Sequence, residues 1–598
     1  MSILADLNPA QQEAVQFGDG PLLILAGAGS GKTRVLTHRV AYLISQGVAP
    51  EEIVLLTFTN KASEEMLRRV SALLRQGFVG QGGTFHSFCA RLLRRRNPDF
   101  VIFDEADQID TIKQAMSAVG VDAKMVKPSS VLHTISGAKN ELIGPLEYAN
   151  YARGDFQKMV VRVYMAYQQL LKKYEALDFD DLLIEAVKFL REEPELRWKY
   201  VLVDEYQDTN KAQYEITKLL AKKHRNLTVV GDASQAIYSW RGADYRNLQL
   251  LKQDFPDLTI INLEQNYRST QTILDAANKV ISKNKNHPIL KLWTDKSGGA
   301  KISVYEADSE SDEASFIVTK LQSNKVTEYS DYAVLYRTNA QSRVFEEAFL
   351  HAGIPYVLVG GTRFYERKEI KDVVCYLRLI MNPEDNVARK RAEKLGKTRL
   401  AKLEPSGTKT IEILDSVLKS TGYIELFNPD EEEDLARLEN IKELRSVAME
   451  FPKLPEFLEN IALTEREANR RRSSGSAVTL MTLHAAKGLE FKNVFLVGME
   501  EGLFPHSRAL MDPEQMEEER RLAYVGMTRA MDKLYLTYAR RRLYFGTRNN
   551  NPVSRFLADI PEELLESNGP PSPRLRGAQW GFDDSGNWQW KPEDDLPF

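Results

Sequence analysis

The sequence predicts an α/β protein made of two parallel-sheet domains, each interrupted by a mainly helical insertion. Three observations predict it. Short apolar strands alternate with helical stretches in two separate regions of the chain. A glycine-rich loop joins the first strand to the helix that follows. In each region a long block of helical periodicity breaks the alternation. At 598 residues the chain is also too long for a single core.

The elements follow in order. The first strand is expected at residues 21–25 (PLLIL), running into AGAGSGKT and a helix. A second apolar strand, 53–58 (IVLLTF), precedes a helical pattern that lasts to about Arg75. From Leu92 to about Glu185 the pattern is helical, with basic and aromatic residues interleaved (LLRRR, KMVVRVYMAYQQLLKKYEAL). Strands return at 200–203 (YVLV), 227–230 (LTVV) and 258–263. A second alternating region opens near Lys301 with ISVYEA, YAVLYR and YVLVGG. A polar, helix-rich stretch from about Glu384 to Gly475 interrupts it before VTLMTL and VFLVG. The segment after about Glu566 is rich in Pro, Gly and polar residues and is expected to be disordered.

Composition narrows the function classes. Hydrophobic residues make up 43% of the chain and charged residues 27%, as in an ordinary soluble globular protein. Cys89 and Cys375 have no paired spacing, which excludes a disulfide framework or a cysteine-built metal centre and fits a reducing cytoplasm. No secretory signal is visible at the N-terminus. No apolar run approaches the roughly 18 to 20 residues that span a bilayer. The net charge of −4 is neutral evidence on nucleic acid, which needs a local basic and aromatic track rather than a basic average.

Residues 26–33 have the strand–loop–helix setting of a phosphate-binding loop. Ala26, Gly27, Ala28, Gly29, Ser30 and Gly31 bring backbone N–H groups close to an anion, and Gly27, Gly29 and Gly31 permit the approach. Lys32 reaches the β- and γ-phosphate oxygens, and the Thr33 hydroxyl is expected on magnesium. Ala26 stands where glycine is usual.

The acid partner should close a neighbouring strand. Asp104, Glu105 and Asp107 follow only a short apolar stretch and read as a solvated cluster starting a helix. Asp204-Glu205 closes YVLV, so Asp204 is expected to hold magnesium through water and Glu205 to polarise the attacking water. A second GKT, residues 396–398, lacks a preceding strand and is rejected as a phosphate loop. Hydrolysis also needs positive charge where the γ-phosphate departs, and Arg268 and Arg529 are the strongest candidates.

AGAGSGKT, TFTNKASEEM, GTFHSF, VDEYQDTN, VGDASQAIYSWRGA, LEQNYRST, VTLMTLHAAKGLEF and RLAYVGMTRA occur in this order. With them the chain resembles a superfamily 1 DNA helicase of the UvrD/Rep/PcrA family, from LNPAQQEAV to roughly Pro561. The resemblance implies two RecA-like motor domains, the first at 1–91 and 186–262 and the second at 263–383 and 476–565. Their insertions are 92–185 and a shortened 384–475, and 566–598 is the tail. It implies ATP and magnesium as cofactors and 3′-to-5′ movement on single-stranded DNA, with unwinding of duplex in repair or replication. ATP would bridge Lys32 to Arg268 and Arg529, and each cycle would shift the strand by about one base. An alternative is a translocase that displaces bound proteins and unwinds only with a partner.

Residue roles carry over in the same way. Gln11 would read the adenine edge, Tyr267 would stack on the base, and Arg34 and Glu490 would add nucleotide contacts. Gln235 would sense the γ-phosphate, though Ser234 stands where the family carries an acid.

IYSWRG places Tyr238, Trp240 and Arg241 within four positions, an aromatic and cationic cluster suited to stacking bases and holding phosphates. By resemblance, Phe58, Thr84, His86, Arg337, Asn339 and His506 are further DNA contacts. The basic run 389–403 (RKRAEKLGKTRLAKL) resembles the family's duplex-contacting turn; its plain reading is a solvated helical face. The last residues, Glu593 to Phe598, resemble the acidic tip of bacterial single-stranded DNA-binding proteins. Such a tip would dock on replication or repair proteins; the alternative is a merely solubilising tail. Single-stranded DNA and its junctions with duplex are the expected partners, with no membrane.

Overall fold

The computed structural model describes residues 3–567, apart from 76, 79, 124, 194–197, 297, 324–327, 430 and 471–474, together with 578–582 and 588–592. The chain divides into two compact units, one of residues 1–267 and 287–292 and one of 268–286 and 293–598.

The first unit is built on a six-stranded sheet. Its strands lie in the order Gln81–Thr84, Ile53–Thr57, Tyr200–Val203, Asn226–Gly231, Leu22–Ala26 and Thr259–Leu263. All its pairings are parallel. Residues such as Leu22, Ile24, Val54, Leu56, Val201 and Val229 are buried on both faces, which is why these strands read as continuous apolar runs rather than alternations. The parallel arrangement brings the C-terminal ends of Leu22–Ala26, Tyr200–Val203 and Asn226–Gly231 to one edge. That edge is where open α/β sheets bind ligands.

The chain leaves this sheet after the helix Phe85–Leu93. A separate helical body follows, with helices Glu105–Ala118, Pro128–Asn140, Pro145–Tyr151 and Gly154–Lys173. Its own core includes Ile112, Met116, Val131, Ile135, Val160, Tyr164 and Tyr167. Two-residue strands, Val101–Ile102 and Ala176–Leu177, pair in parallel where the chain enters and leaves it. Helix Phe179–Glu192, whose first half was assigned from sequence to the insertion, packs Leu182, Leu183, Ala186 and Leu190 into the core of the sheet. At this junction Lys139 is fully buried, 2.6 Å from Asp178 and 2.7 Å from Asp181. The Tyr167 hydroxyl donates to Asp178 as well. Asp104, Glu105 and Asp107 are exposed at a helix start, with Asp104 and Asp107 forming a reciprocal cap.

The second unit holds a seven-stranded parallel sheet. Its order is Tyr356–Val359, Val478–Thr482, Tyr332–Tyr336, Phe491–Leu496, Ala530–Ala539, Ile302–Ala307 and Leu565–Ser567. Its helical body has a core that begins at Phe364 and runs to Ile461, so helix Lys368–Met381 joins it, ahead of the boundary expected at 384. Buried polar contacts fasten helix Glu432–Glu450 of that body to the sheet side. Arg343 donates to Glu443 at 2.8 Å, and Arg367, within the body, bridges Asn440 at 2.7 Å to Ser342 Oγ on the sheet side at 2.7 Å. Gly396 separates helices Asn386–Leu395 and Lys397–Ala401, and Lys397 and Thr398 open the second, so a helix and not a strand precedes this GKT.

In the tail, Ala578–Phe582 and Trp588–Pro592 pair antiparallel, a local strand pair within the segment expected to be disordered. The tip at 593–598 lies outside the described residues. Among the described residues no helix is long and apolar enough to cross a membrane.

Candidate nucleotide and DNA sites

On the first unit, the strand Leu22–Ala26 ends in the glycine-rich loop and helix Lys32–Ser45 begins immediately after it. Gly31, the residue before the helix, adopts φ 87°, and a Cβ there would meet Gln11 Nε2 at 2.9 Å. Glycine is therefore required for both the turn and the close approach. Gln11 is buried against the loop: its Nε2 donates to the Ser30 carbonyl at 2.9 Å and its Oε1 accepts from the Asn8 N–H at 3.1 Å. The Tyr267 N–H donates to the Gly29 carbonyl, and the Tyr267 hydroxyl meets Asn8 and Gln265. Its ring is thus held beside the loop while remaining 45% exposed, as a stacking surface must be. Arg34 lies 4.0 Å from Asp6 at the surface.

Lys32 Nζ is buried and has no hydrogen-bond partner among the described residues; Glu205 Oε1 is 3.9 Å away. A buried ammonium in this condition is costly unless an anion completes it. Thr33 Oγ1 lies 3.3 Å from Asp204 Oδ2. Burial, and then the neighbouring Glu205 carboxylate, raise the pKa of Asp204, while Lys32 and Thr33 oppose the shift. A hydroxyl and a buried carboxylate at this spacing, beside a second carboxylate, form an oxygen donor set suited to a hard divalent cation.

Glu205 takes a left-handed backbone conformation, φ 49°, unusual for a residue other than glycine. Its carboxylate accepts from Gln207, whose side-chain carbonyl accepts from the Asp232 N–H at 3.0 Å. Asp232 in turn accepts from the Gln235 side chain and the Ser234 N–H. Ser234, where the family pattern has an acid, is buried and bonded through Oγ to His287 Nε2 at 3.1 Å.

Phe58, Tyr238, Trp240 and Arg241 lie together. Phe58 and Tyr238 lie with ring centroids 6.1 Å apart and planes 10° apart. Trp240 is edge-on to Tyr238, and the Arg241 guanidinium sits 4.5 Å over the Trp240 ring. Trp240 is 43% exposed. Phe58, Trp240 and Arg241 line one open groove together with His86, Asn140, Asp208 and Asn210. His86 stands edge-on to Phe179, and burial lowers its pKa, which favours the neutral ring. Thr84 is buried and spends its hydroxyl capping helix Phe85–Leu93.

On the second unit, Arg268 donates to Glu490 at 2.7 Å and to the Thr528 carbonyl at 3.2 Å. Arg529 is buried and donates to the carbonyls of Val525 and Leu489 and to Thr528 Oγ1. Arg268, Glu490 and Arg529 therefore gather around Thr528, which sequence reasoning did not single out. Arg337 donates to Glu519 at 2.8 Å, and the same carboxylate accepts from the His506 N–H. Glu519 thus joins two of the expected DNA contacts, while the His506 ring meets Glu439 at 3.0 Å. The Asn339 carbonyl accepts from Arg367.

Gln207, Asn140, Glu519 and Glu439 were missed. Their partners lie in distant segments, and only Gln207 sits inside a motif. Both cysteines are free and buried.

Comparison with known proteins places the chain among its relatives. Residues 7–256 match the family model of the UvrD/REP helicase N-terminal domain. Residues 261–430 and 420–541 match that of the UvrD-like helicase C-terminal domain. The chain is 46% identical to the ATP-dependent DNA helicase PcrA of Bacillus subtilis (strain 168), over 94% of its own length and 87% of the relative's. It is 44% identical to the protein of that name from Leuconostoc citreum, over 94% and 85%. With that from Staphylococcus aureus (strain Mu50 / ATCC 700699) it shares 42% over 95% and 88%. The alignment with the Bacillus relative runs over 642 positions, more than the 598 residues of this chain, so that relative carries residues with no counterpart here.

Proposed function

This chain belongs to the UvrD/REP helicase family and is an ATP-dependent DNA helicase; we propose that it moves 3′-to-5′ along a single strand and opens duplex DNA in replication or repair. The observation that carries the residue assignment is the buried Lys32 ammonium, which lacks a hydrogen-bond partner among the described residues at the mouth of a phosphate loop, beside Asp204 and Glu205.

Each group then has a task. Loop N–H groups and Lys32 hold the β- and γ-phosphates. Thr33 and Asp204 hold magnesium, which when bound screens phosphate charge. Glu205 orients and polarises the attacking water, and Gln235 reports the γ-phosphate. Arg268 and Arg529 offset the charge that develops as phosphate leaves. Tyr267 stacks on the base and Gln11 fixes its edge, with Arg34 and Glu490 as further nucleotide contacts. Phe58, Tyr238, Trp240, Arg241 and His86 grip bases and phosphates with little sequence preference, and Thr84, Arg337, Asn339 and His506 add polar contacts. A cytoplasmic setting suits the two buried free thiols.

ATP hydrolysis measured with and without single-stranded DNA tests this. The wild type is expected to respond strongly to DNA, and Glu205→Gln to lose about a hundredfold or more of turnover while still binding nucleotide. No response to DNA would overturn the motor reading.

A second reading, a translocase that strips proteins and unwinds only with a partner, is favoured by the residues this chain lacks against its relatives. We assign that difference to the insertion at 384–475, where the C-terminal family model matches in two overlapping pieces.

A further inference from the structure

The geometry points to Gln207 as the positioning residue that sets the orientation of Glu205 and ties it to the loop carrying Gln235. This inference rests on the helicase reading above, and it concerns a residue that does not itself touch nucleotide or DNA.

Gln207 is fully buried, in the short 3-10 turn Tyr206–Asp208 that follows the acid pair. Its amide group is used at both ends. The Nε2 group donates to the Glu205 carboxylate, and Oε1 accepts from the Asp232 N–H at 3.0 Å. Gly231 permits this approach, since a Cβ at that position would come within 3.0 Å of Gln207 Oε1.

Only a side chain with one donor end and one acceptor end satisfies both neighbours. A carboxylate here would face the Glu205 carboxylate. An apolar side chain would leave the buried Asp232 N–H unpaired and the Glu205 carboxylate with one donor fewer.

The consequence concerns coupling. Asp232 also accepts from the Gln235 side chain and the Ser234 N–H. A movement of the Gln235 loop therefore pulls on the Asp232 N–H, then on the Gln207 amide, then on the carboxylate that orients water. The loop continues through Tyr238, Trp240 and Arg241, so occupancy of the aromatic groove has a short, hydrogen-bonded route to Glu205. The relay is made of fixed groups and involves no proton transfer.

Gln207→Glu and Gln207→Met both keep the buried volume, and thermal melting shows whether the fold is retained. The measurement is kcat and KM for ATP, with and without single-stranded DNA, beside the affinity for a fluorescent nucleotide analogue. The expected result is a loss of about tenfold or more in DNA-stimulated kcat, with analogue affinity within about threefold of wild type and DNA no longer raising turnover. Gln207→Asn, which keeps the amide on a shorter stem, is expected to recover part of the stimulation. Wild-type stimulation in either Gln207→Glu or Gln207→Met would overturn the inference. So would a loss of melting temperature and nucleotide affinity in parallel with kcat, which would mark Gln207 as structural only. A wild-type enzyme that ignores DNA would instead defeat the helicase reading and leave the bonding of Gln207 as it is.

Discussion

At the scale of the residue, Lys32 is the sharpest feature of the molecule. Its buried ammonium has Glu205 at 3.9 Å and no hydrogen bond among the described residues, a state that a bound triphosphate would relieve. Lys32→Ala should therefore lower hydrolysis by about a hundredfold or more and weaken nucleotide binding, read by turnover and by titration with a fluorescent analogue. Tyr267 offers a different signature. Its ring is exposed and held by hydrogen bonds of its hydroxyl and backbone rather than by packing, so Tyr267→Ala should raise KM for ATP by up to about tenfold with little change in melting temperature. The local parts of the site were legible in the sequence, because the loop, the acid pair and the aromatic cluster each occupy a few consecutive positions. Gln207 was inside a recognised motif, yet its bond to the Asp232 backbone depends on two strand ends meeting. Glu519 and Glu439 had no local signal at all, since their partners Arg337 and His506 lie far along the chain.

At the scale of the element, the strands that were read lie almost on their residues, but Gln81–Thr84, Ala530–Ala539 and Leu565–Ser567 were not read, and the insertion boundaries shifted. Tyr200–Val203 and Ile302–Ala307 fall on the expected positions, because a strand buried on both faces is a short apolar run with polar ends. Helices Phe179–Glu192 and Lys368–Met381 show why boundaries shifted. An amphipathic period reveals that a helix buries one face but not which core receives it. The first helix joins the sheet and the second the helical body. The joint of the first insertion depends on Lys139, held between Asp178 and Asp181 with no exposure. Lys139→Met would leave two buried carboxylates without their cation, and should cost about 3 kcal/mol or more in urea unfolding. Replacing both aspartates by Asn in the same background should recover much of that loss. A helix cap offers a milder test. Asn210 caps helix Lys211–Ala221 and also donates to Asn140, so Asn210→Ala should destabilise by about 1 kcal/mol.

At the scale of the whole molecule, two parallel-sheet units each carry part of the machinery. The first bears the phosphate loop, the acid pair and the stacking groove, and the second bears Arg268, Glu490 and Arg529 around Thr528. Trp240→Ala should weaken single-stranded DNA binding by about tenfold, since stacking contributes roughly 1–3 kcal/mol per base, while leaving DNA-free hydrolysis and stability unchanged. The order of the motifs made this division legible before any coordinates. The direction of travel has no counterpart in strand order or spacing and was implied by resemblance alone. The most direct measurement is therefore unwinding, driven by ATP, of duplexes that carry either a 3′ or a 5′ single-stranded tail. The account predicts strand separation on the 3′-tailed duplex, none on the 5′-tailed one, and none with Glu205→Gln on either. Unwinding from the 5′ tail, or hydrolysis that no single strand accelerates, would contradict it.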